Sequence, residues 1–289
     1  MKKLLTLLLT LVLSVSAVLG LTACGNKELN YTGAIDQDTA FTEVKAGTSD
    51  IAVMDNIMAG FYVSKPENSD LMLLTAEEFT FDGEYYSIGF RKGGNTASYI
   101  NYALYKAQES GKLLEIATTY GVADAITQIP QKDKPEAPAD GSDFKYILDK
   151  GEMILGYTIF EPIAYEKDGE LVGFDIDLAK EVCAILSAEY GKTINLKNVK
   201  INWDTKEDEL NNKNIDCIWN GFTYSDKRAE NISFTEMYMV NRQIMVIRKA
   251  DKDKYTSYAS MKKARFTAEK ESAGETTIKE IIAGKVFAK

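Results

Sequence analysis

A chain of 289 residues with 45% apolar and 27% charged content is long enough for one large domain or two of ordinary size, and can bury a substantial core. Its formal net charge of -9 excludes the basic footprint with which proteins displace counterions from nucleic-acid phosphates, so no nucleic-acid partner is expected. Histidine is absent altogether, which removes His-based catalytic triads and His-ligated metal sites from consideration.

In chain order, Lys2 and Lys3 precede the uncharged run LLTLLLTLVLSVSAVLGLTAC, the pattern of a secretory signal. The run is also about long enough to cross a bilayer core. Its end favours the signal: LTAC (Leu21 to Cys24) before Gly25 resembles the lipobox of bacterial lipoproteins. That resemblance implies a signal peptide over 1–23, a lipid on Cys24 and a polar tether over 24–30. NYTGAI (Asn30 to Ile35) then reads as a strand, and DQDTAFTEVKAG as a helix capped by Asp36 and ended by Gly47. SDIAVMD (Ser49 to Asp55) is a short apolar run between acids, as a buried parallel strand should be. YYSIGFRKG (Tyr85 to Gly93) reads as another strand. TASYINYALYKAQESGKLLEIATTYGV reads as two helices, with Ile100, Ala103, Leu104 and Ala107 at helical spacing and a break at Gly111.

QIPQKDKPEAPADGS (Gln128 to Ser142) holds Pro130, Pro135 and Pro138, out of only five prolines in the chain, and reads as an extended, solvated linker. Beyond it, EMILGYT is a strand, and GFDIDLAKEVCAILSAEYG is a helix with Leu178, Val182, Ile185 and Leu186 on one face. INW begins a further strand, DTKEDELNNKN is a short helix, IDCIWNG a strand, NRQIMVIRK extended, ARFTAE a strand and SAGETTIKEIIAG a helix. The alternation indicates an α/β protein with mainly parallel sheets. Beyond Cys24, Cys183 sits in a helical pattern and Cys217 in a strand, which favours two buried free thiols over a bridge.

The stretch GYTIFEPIAYEKDGELVGFDIDLAKEV, with NIDCIWNGFTYSDKRAENISFTEMYMVN, resembles the N-terminal half of the polar amino-acid-binding proteins of bacterial ABC uptake transporters. These are family 3 solute-binding proteins of the two-lobed periplasmic-binding-protein type 2 fold. VKAGTSDIAVMDNIMA, YYSIGFRKG and the helices ending in TTYGV resemble the C-terminal half of the same family. The order is reversed here. Two explanations stand: circular permutation of a single binding protein, or the remnant of a tandem duplication, either truncated or completed by reciprocal swapping in a dimer. No family segment appears twice, which favours a self-complete permuted protein opened at a surface loop.

The resemblance implies a fold of two α/β lobes, each a mainly parallel sheet flanked by helices, joined by two hinge crossovers at Tyr86 to Phe90 and Met245 to Lys249. Lobe 2 comprises 31–86 plus 249–289, and lobe 1 comprises 87–127 plus 143–248. Residues 128–142 then join the family's C- and N-terminal ends, and the lipid would tether the protein by the opposite lobe from its relatives.

It also implies the ligand contacts. A free amino acid carries a carboxylate, an ammonium group and a side chain, and a dry site must satisfy all three. Arg228, in TYSDKR, matches the arginine that grips the carboxylate through paired charged hydrogen bonds, with Thr223 adding a hydroxyl. Without the motif it would read as a solvated charge. Asp55 matches the ammonium-binding carboxylate, although an acid at a strand end is also a common helix cap. A carbonyl of Asn220 or Gly221 accepts a second ammonium hydrogen, and Gly221 permits close approach. Phe160 and Trp203 match the aromatics that sandwich the ligand side chain; the alternative is two core aromatics. Trp219 either lines the pocket or does not. Ser272, Ala273, Gly274 and Thr276 present the free amides of a helix start.

The expected function is therefore an extracytoplasmic, lipid-anchored binding protein on the bacterial cell membrane that closes around a free amino acid and delivers it to an ABC permease, without catalysis or cofactor. The rivals are an enzyme on the same fold, such as a cyclic-acid dehydratase using Glu161 as its general acid or base, a sensor module, and a non-binding remnant.

Overall fold

The structure, a computed structural model, describes residues 30–284; the signal segment and the lipidation expected at Cys24 lie outside the described residues. The first group of elements is β1 (Tyr31–Ala34), α1 (Gln37–Ala46), β2 (Ile51–Asp55), α2 (Asn56–Ser64), β3 (Leu71–Leu74) and β4 (Gly83–Tyr86). It is followed by β5 (Gly89–Arg91), α3 (Thr96–Glu109), α4 (Lys112–Thr119), α5 (Asp143–Lys150), β6 (Glu152–Tyr157), β7 (Tyr165–Lys167), β8 (Glu170–Val172) and α6 (Phe174–Tyr190). The last group is β9 (Asn195–Lys200), α7 (Lys206–Asn211), β10 (Cys217–Ile218), α8 (Asp226–Ala229), β11 (Ile232–Phe234), β12 (Met239–Arg248), β13 (Phe266–Glu269) and α9 (Ala273–Ile282).

Local chemistry accounts for several of these boundaries. The Asp36 carboxylate accepts from the Thr39 amide at the start of α1, and Gly47 ends that helix in the left-handed region. The Ser272 hydroxyl accepts from the Glu275 amide and so caps α9. Gly111 separates α3 from α4 as its spacing predicts.

Two sheets carry the molecule. A six-stranded sheet runs β1-β13-β2-β12-β3, with β4 also on β12, and a five-stranded sheet runs β11-β5-β10-β6-β9. We call the parts built on them lobe 2 and lobe 1. Each sheet takes strands from both sides of the 128–142 linker: β13 pairs parallel with β1 and β2, and β10 pairs with both β5 and β6. The two halves of the sequence are thus interleaved rather than separate globules.

Four expectations are corrected. The sheets are mixed rather than mainly parallel, because the crossover strands β12 and β5 run antiparallel to their neighbours. The strand expected over Tyr85 to Gly93 is two strands, interrupted at Ser87 and Ile88. There the chain changes sheets, and its polar groups go to the other crossover: the Ile88 amide donates to Thr235 Oγ1 (2.9 Å), the Ser87 hydroxyl to the Thr235 carbonyl (2.8 Å), and the Tyr238 amide to the Tyr86 carbonyl (3.0 Å). The second crossover therefore lies near Thr235 to Tyr238 rather than at Met245 to Lys249, since all of β12 pairs with β2, β3 and β4 in lobe 2. Finally, no strand begins at INW: the strand lies before it, over Asn195–Lys200, and Trp203 opens a 3-10 turn instead.

The linker is also less solvated than its composition suggests. Ile129 is buried, and its backbone is bracketed by the Gln108 carboxamide. The Tyr190 and Tyr99 hydroxyls donate to the carbonyls of Pro135 and Glu136 (2.9 and 3.0 Å). A segment without secondary structure needs such partners for its backbone, and here side chains of α3 and α6 supply them.

The largest hydrophobic cluster runs from Ala52 and Met54 in lobe 2 through Tyr86 and Tyr238 at the crossovers to Leu104, Phe174 and Leu186 in lobe 1. Each fully buried aliphatic or aromatic side chain contributes about 1.5–3 kcal/mol of transfer free energy. Cys183 and Cys217 are both buried and unbridged, as expected. Among the described residues no helix is long and apolar enough to cross a membrane.

Candidate functional site

Asp55 closes the apolar strand β2, and its position invites a capping role, yet it makes no side-chain cap to α2. The carboxylate turns instead into the interior, where it accepts hydrogen bonds from the side-chain amides of Gln37, Asn241 and Gln243. Burial raises its pKa, against the opposing effect of these donors. Glu84, on β4, accepts from Gln243 Nε2 (2.9 Å), and burial, followed by the charge of Asp55, lifts it to about 7. At the end of β13, Glu269 is buried with the Thr158 hydroxyl at 3.3 Å. Burial pushes it well above the usual carboxylate range, with Asp55 adding to the shift and Lys206 opposing it.

Lobe 1 faces these acids with cations. Arg228 lies on the short helix α8, capped by the Ser225 hydroxyl. Its Nη1 donates to the Thr223 carbonyl (2.6 Å), its Nη2 crosses to the Glu271 carbonyl of lobe 2 (3.0 Å), and its guanidinium stacks 4.8 Å above the Phe222 ring. Lys206, at the start of α7, is buried and donates to the carbonyls of Trp203 (3.0 Å) and Glu271 (3.1 Å).

The loop between these charges is built from behind. Asp175, in the first turn of α6, is fully buried and accepts from the Gly221 amide (2.7 Å) and the Tyr238 hydroxyl (2.9 Å). Burial raises its pKa to about 7. Gly221 has φ +60, and a Cβ there would lie 2.5 Å from the Phe160 ring, so both backbone and space demand glycine. The Asn220 side chain pairs with Thr158.

A small cavity of about 10 Å³ between the lobes is lined by Asp55, Trp203, Asn220, Gly221, Thr223, Arg228, Ser272 and Ala273, together with Gln37 and Glu269. That is room for roughly one water molecule. Three expected residues stand apart from its walls. Phe160 is buried beneath Gly221, edge-on to Tyr86 with centroids 6.3 Å apart. Gly274 packs on β2, where a Cβ would lie 2.4 Å from the Val53 carbonyl oxygen. Thr276 faces a wider groove of about 860 Å³ that adjoins the cavity and shares Thr223, Arg228 and Ala273 with it. Trp219 is fully buried and does not line the cavity. Glu161 is on neither wall; it pairs with Lys65 across the lobes at 2.5 Å, beside a different groove.

Sequence reasoning missed Gln37, Glu269, Glu84, Asp175 and Lys206. A signal existed for Glu269: it ends the strand FTAE as Asp55 ends IAVMD, an acid closing an apolar run in the same sheet. Among the described residues no cluster of acids and cysteines is arranged to hold a metal ion. Chemically, the arrangement offers acids on one lobe, cations on the other, and the N-terminus of α9 between them, which suits a molecule carrying both an ammonium and a carboxylate.

Two mixed sheets flanked by helices, joined by paired crossovers with charged side chains gathered between them, define the class: a two-lobed protein of the periplasmic-binding-protein fold. Residues 153–284 match the family of bacterial extracellular solute-binding proteins, family 3. The chain is similar to ABC transporter arginine-binding protein 1 of Escherichia coli, with 32% identity over 113 residues, covering 39% of this chain and 42% of that protein. It is similar as well to the histidine-binding periplasmic protein of Escherichia coli, 33% identical over 96 residues, covering 33% of this chain and 34% of that one. Among solved structures, an ABC uptake transporter substrate-binding protein from Streptococcus pneumoniae with bound histidine is 36% identical, covering 34% of this chain and 38% of its own, with a TM-score of 0.29. The matched segments thus span less than half the length of these curated relatives.

Proposed function

We propose that this chain is an extracytoplasmic binding protein that captures a free amino acid between its lobes and delivers it to an ABC permease. The observation that carries this reading is that Asp55 and Arg228, from opposite lobes and opposite sides of the linker, line one cavity. In this reading Asp55 takes the ligand ammonium, Arg228 and Thr223 the carboxylate, and the α9 start at Ser272 and Ala273 adds backbone amides. An amino acid is several times larger than this cavity, so in this reading the lobes part to admit it and close by bending at the paired crossovers. Ligand stabilises the closed state through contacts that exist only there.

Lobe 2 is then 31–86 plus 239–284, lobe 1 is 87–127 plus 143–238, and 128–142 joins the family's two ends in a circularly permuted order. The interleaving of both halves in each sheet supports that reading over a pair of partial domains. A lipid on Cys24 would anchor the protein through lobe 2. Isothermal titration of the form lacking residues 1–23 against each proteinogenic L-amino acid tests the function. At least one is expected to bind at micromolar strength or tighter, and Arg228→Ala is expected to weaken it by about 100-fold or more. Absence of binding across the panel, or an unchanged affinity in that variant, overturns the assignment. Chemical turnover of the bound amino acid would point to an enzyme instead.

A further inference from the structure

The Glu271 carbonyl is the meeting point of two cations from the facing lobe: Arg228 Nη2 lies 3.0 Å from it and Lys206 Nζ 3.1 Å. Glu271 holds a left-handed conformation, φ +55, its amide donates to Glu275 Oε2 at 2.8 Å, and the Ser272 amide, in the same peptide plane as the Glu271 carbonyl, donates to the Glu269 carbonyl at 3.3 Å, which helps to orient it. The remaining hydrogen bonds of both cations also go to backbone carbonyls, Thr223 for Arg228 and Trp203 for Lys206. Lys206 is 3% exposed, with its ammonium 5.0 Å above the Trp203 ring. Lys206 is buried and Arg228 half-buried. The carboxylates of Glu207, Glu269 and Glu271 act on Lys206 through space, and those of Glu84, Asp55, Glu207 and Glu271 on Arg228. The oxygen on which the two cations converge is nonetheless an uncharged carbonyl, and a carboxylate oxygen at that position would turn both contacts into charge-assisted hydrogen bonds.

We infer that Lys206 is a second carboxylate-binding residue beside Arg228, and that the point on which both converge, marked by the Glu271 carbonyl, is where a ligand carboxylate oxygen binds. This rests on the amino-acid-binding reading above. When the cleft opens, Glu271 withdraws with lobe 2, and both cations are free to receive the ligand. Lys206 then adds a point charge and a rotatable donor to the planar grip of the guanidinium.

Burial, and next the charge of Arg228, lower the Lys206 ammonium to about 8, while Glu207 on its own helix and Glu269 and Glu271 from lobe 2 oppose the shift. Lys206 is therefore charged below that pH and loses its grip above it.

The test takes the tightest-binding L-amino acid of the titration panel and its α-carboxamide, at about pH 6.5, against the unaltered protein and the variants Lys206→Met and Lys206→Arg. Loss of the charge is expected to weaken the acid by about 10- to 100-fold and to shrink the acid-to-amide preference about tenfold, while Lys206→Arg retains both. Between about pH 7.5 and 8.5 the affinity of the unaltered protein is expected to fall, and that of Lys206→Arg to stay level. The pH comparison keeps the test decisive if Lys206→Met does not fold. If amino acids bind but the acid-to-amide preference and the pH profile are the same in all folded forms, the Lys206 assignment is overturned and the function stands. If no amino acid binds the unaltered protein, the function fails and the assignment falls with it.

Discussion

Asp55 and Gln37 are joined twice: the Gln37 amide nitrogen donates to Asp55 Oδ2, and the Gln37 carbonyl oxygen accepts from the Asp55 backbone amide at 3.0 Å. This pairing draws the carboxylate away from the α2 start and presents it to the cavity. Asp55→Asn should weaken amino-acid binding by about 100-fold, because a charge-assisted contact to the ammonium is lost, while changing the stability of the fold by no more than about 1–3 kcal/mol, because removal of a desolvated charge is offset by an amide donor turned toward Gln37 or Asn241. Titration calorimetry with a parallel urea melt separates the two; loss of folding without any change in affinity per folded molecule would make Asp55 structural.

Gly221→Ala should cost about 2–4 kcal/mol. The new Cβ meets the Phe160 ring at 2.5 Å in a backbone conformation, φ +60, that only glycine adopts cheaply. A urea melt within 0.5 kcal/mol of the unaltered protein, on the order of measurement error, would show that the loop can relax.

Asp175 ties stability to pH. Its carboxyl is raised from 3.8 to about 7 in the folded state, chiefly by burial. The folded protein therefore binds the proton more tightly than the unfolded chain. This contribution to stability is complete below about pH 4, declines as pH rises through 7, and is absent above. Asp175→Asn should flatten this part of the decline by a few kcal/mol, since each tenfold gain in proton affinity on folding is worth about 1.4 kcal/mol. Denaturation at about pH 5 and pH 8 measures it; an equal slope in both proteins would mean that Asp175 stays ionised.

Ile129 tests whether the linker is docked. It is 1% exposed at the end of a proline-rich segment, so Ile129→Ala should cost about 2–4 kcal/mol, as in a core. A solvated linker would show a change below about 0.5 kcal/mol.

Elements governed by near neighbours are legible in the residues alone: the Asp36 cap and Gly47 stop of α1, the break at Gly111, the buried run of β2 and the helix begun by Ser272. Matched motifs also brought Asp55, Thr223 and Arg228 together as a candidate site before any fold was known, and the cavity gathers them. Other features depend on partners distant in the chain. Whether Tyr85 to Gly93 is one strand or two depends on Thr235, nearly 150 positions away. Whether Phe160 faces ligand or core depends on Gly221 above it. Lys206 reads locally as one lysine in a charged helix start; it becomes a buried cation of the site only because the loop at Glu271 closes over it from the other lobe. Burial, and hence the charge balance of the cleft, is a property of packing between segments, and no local pattern of residue types encodes it.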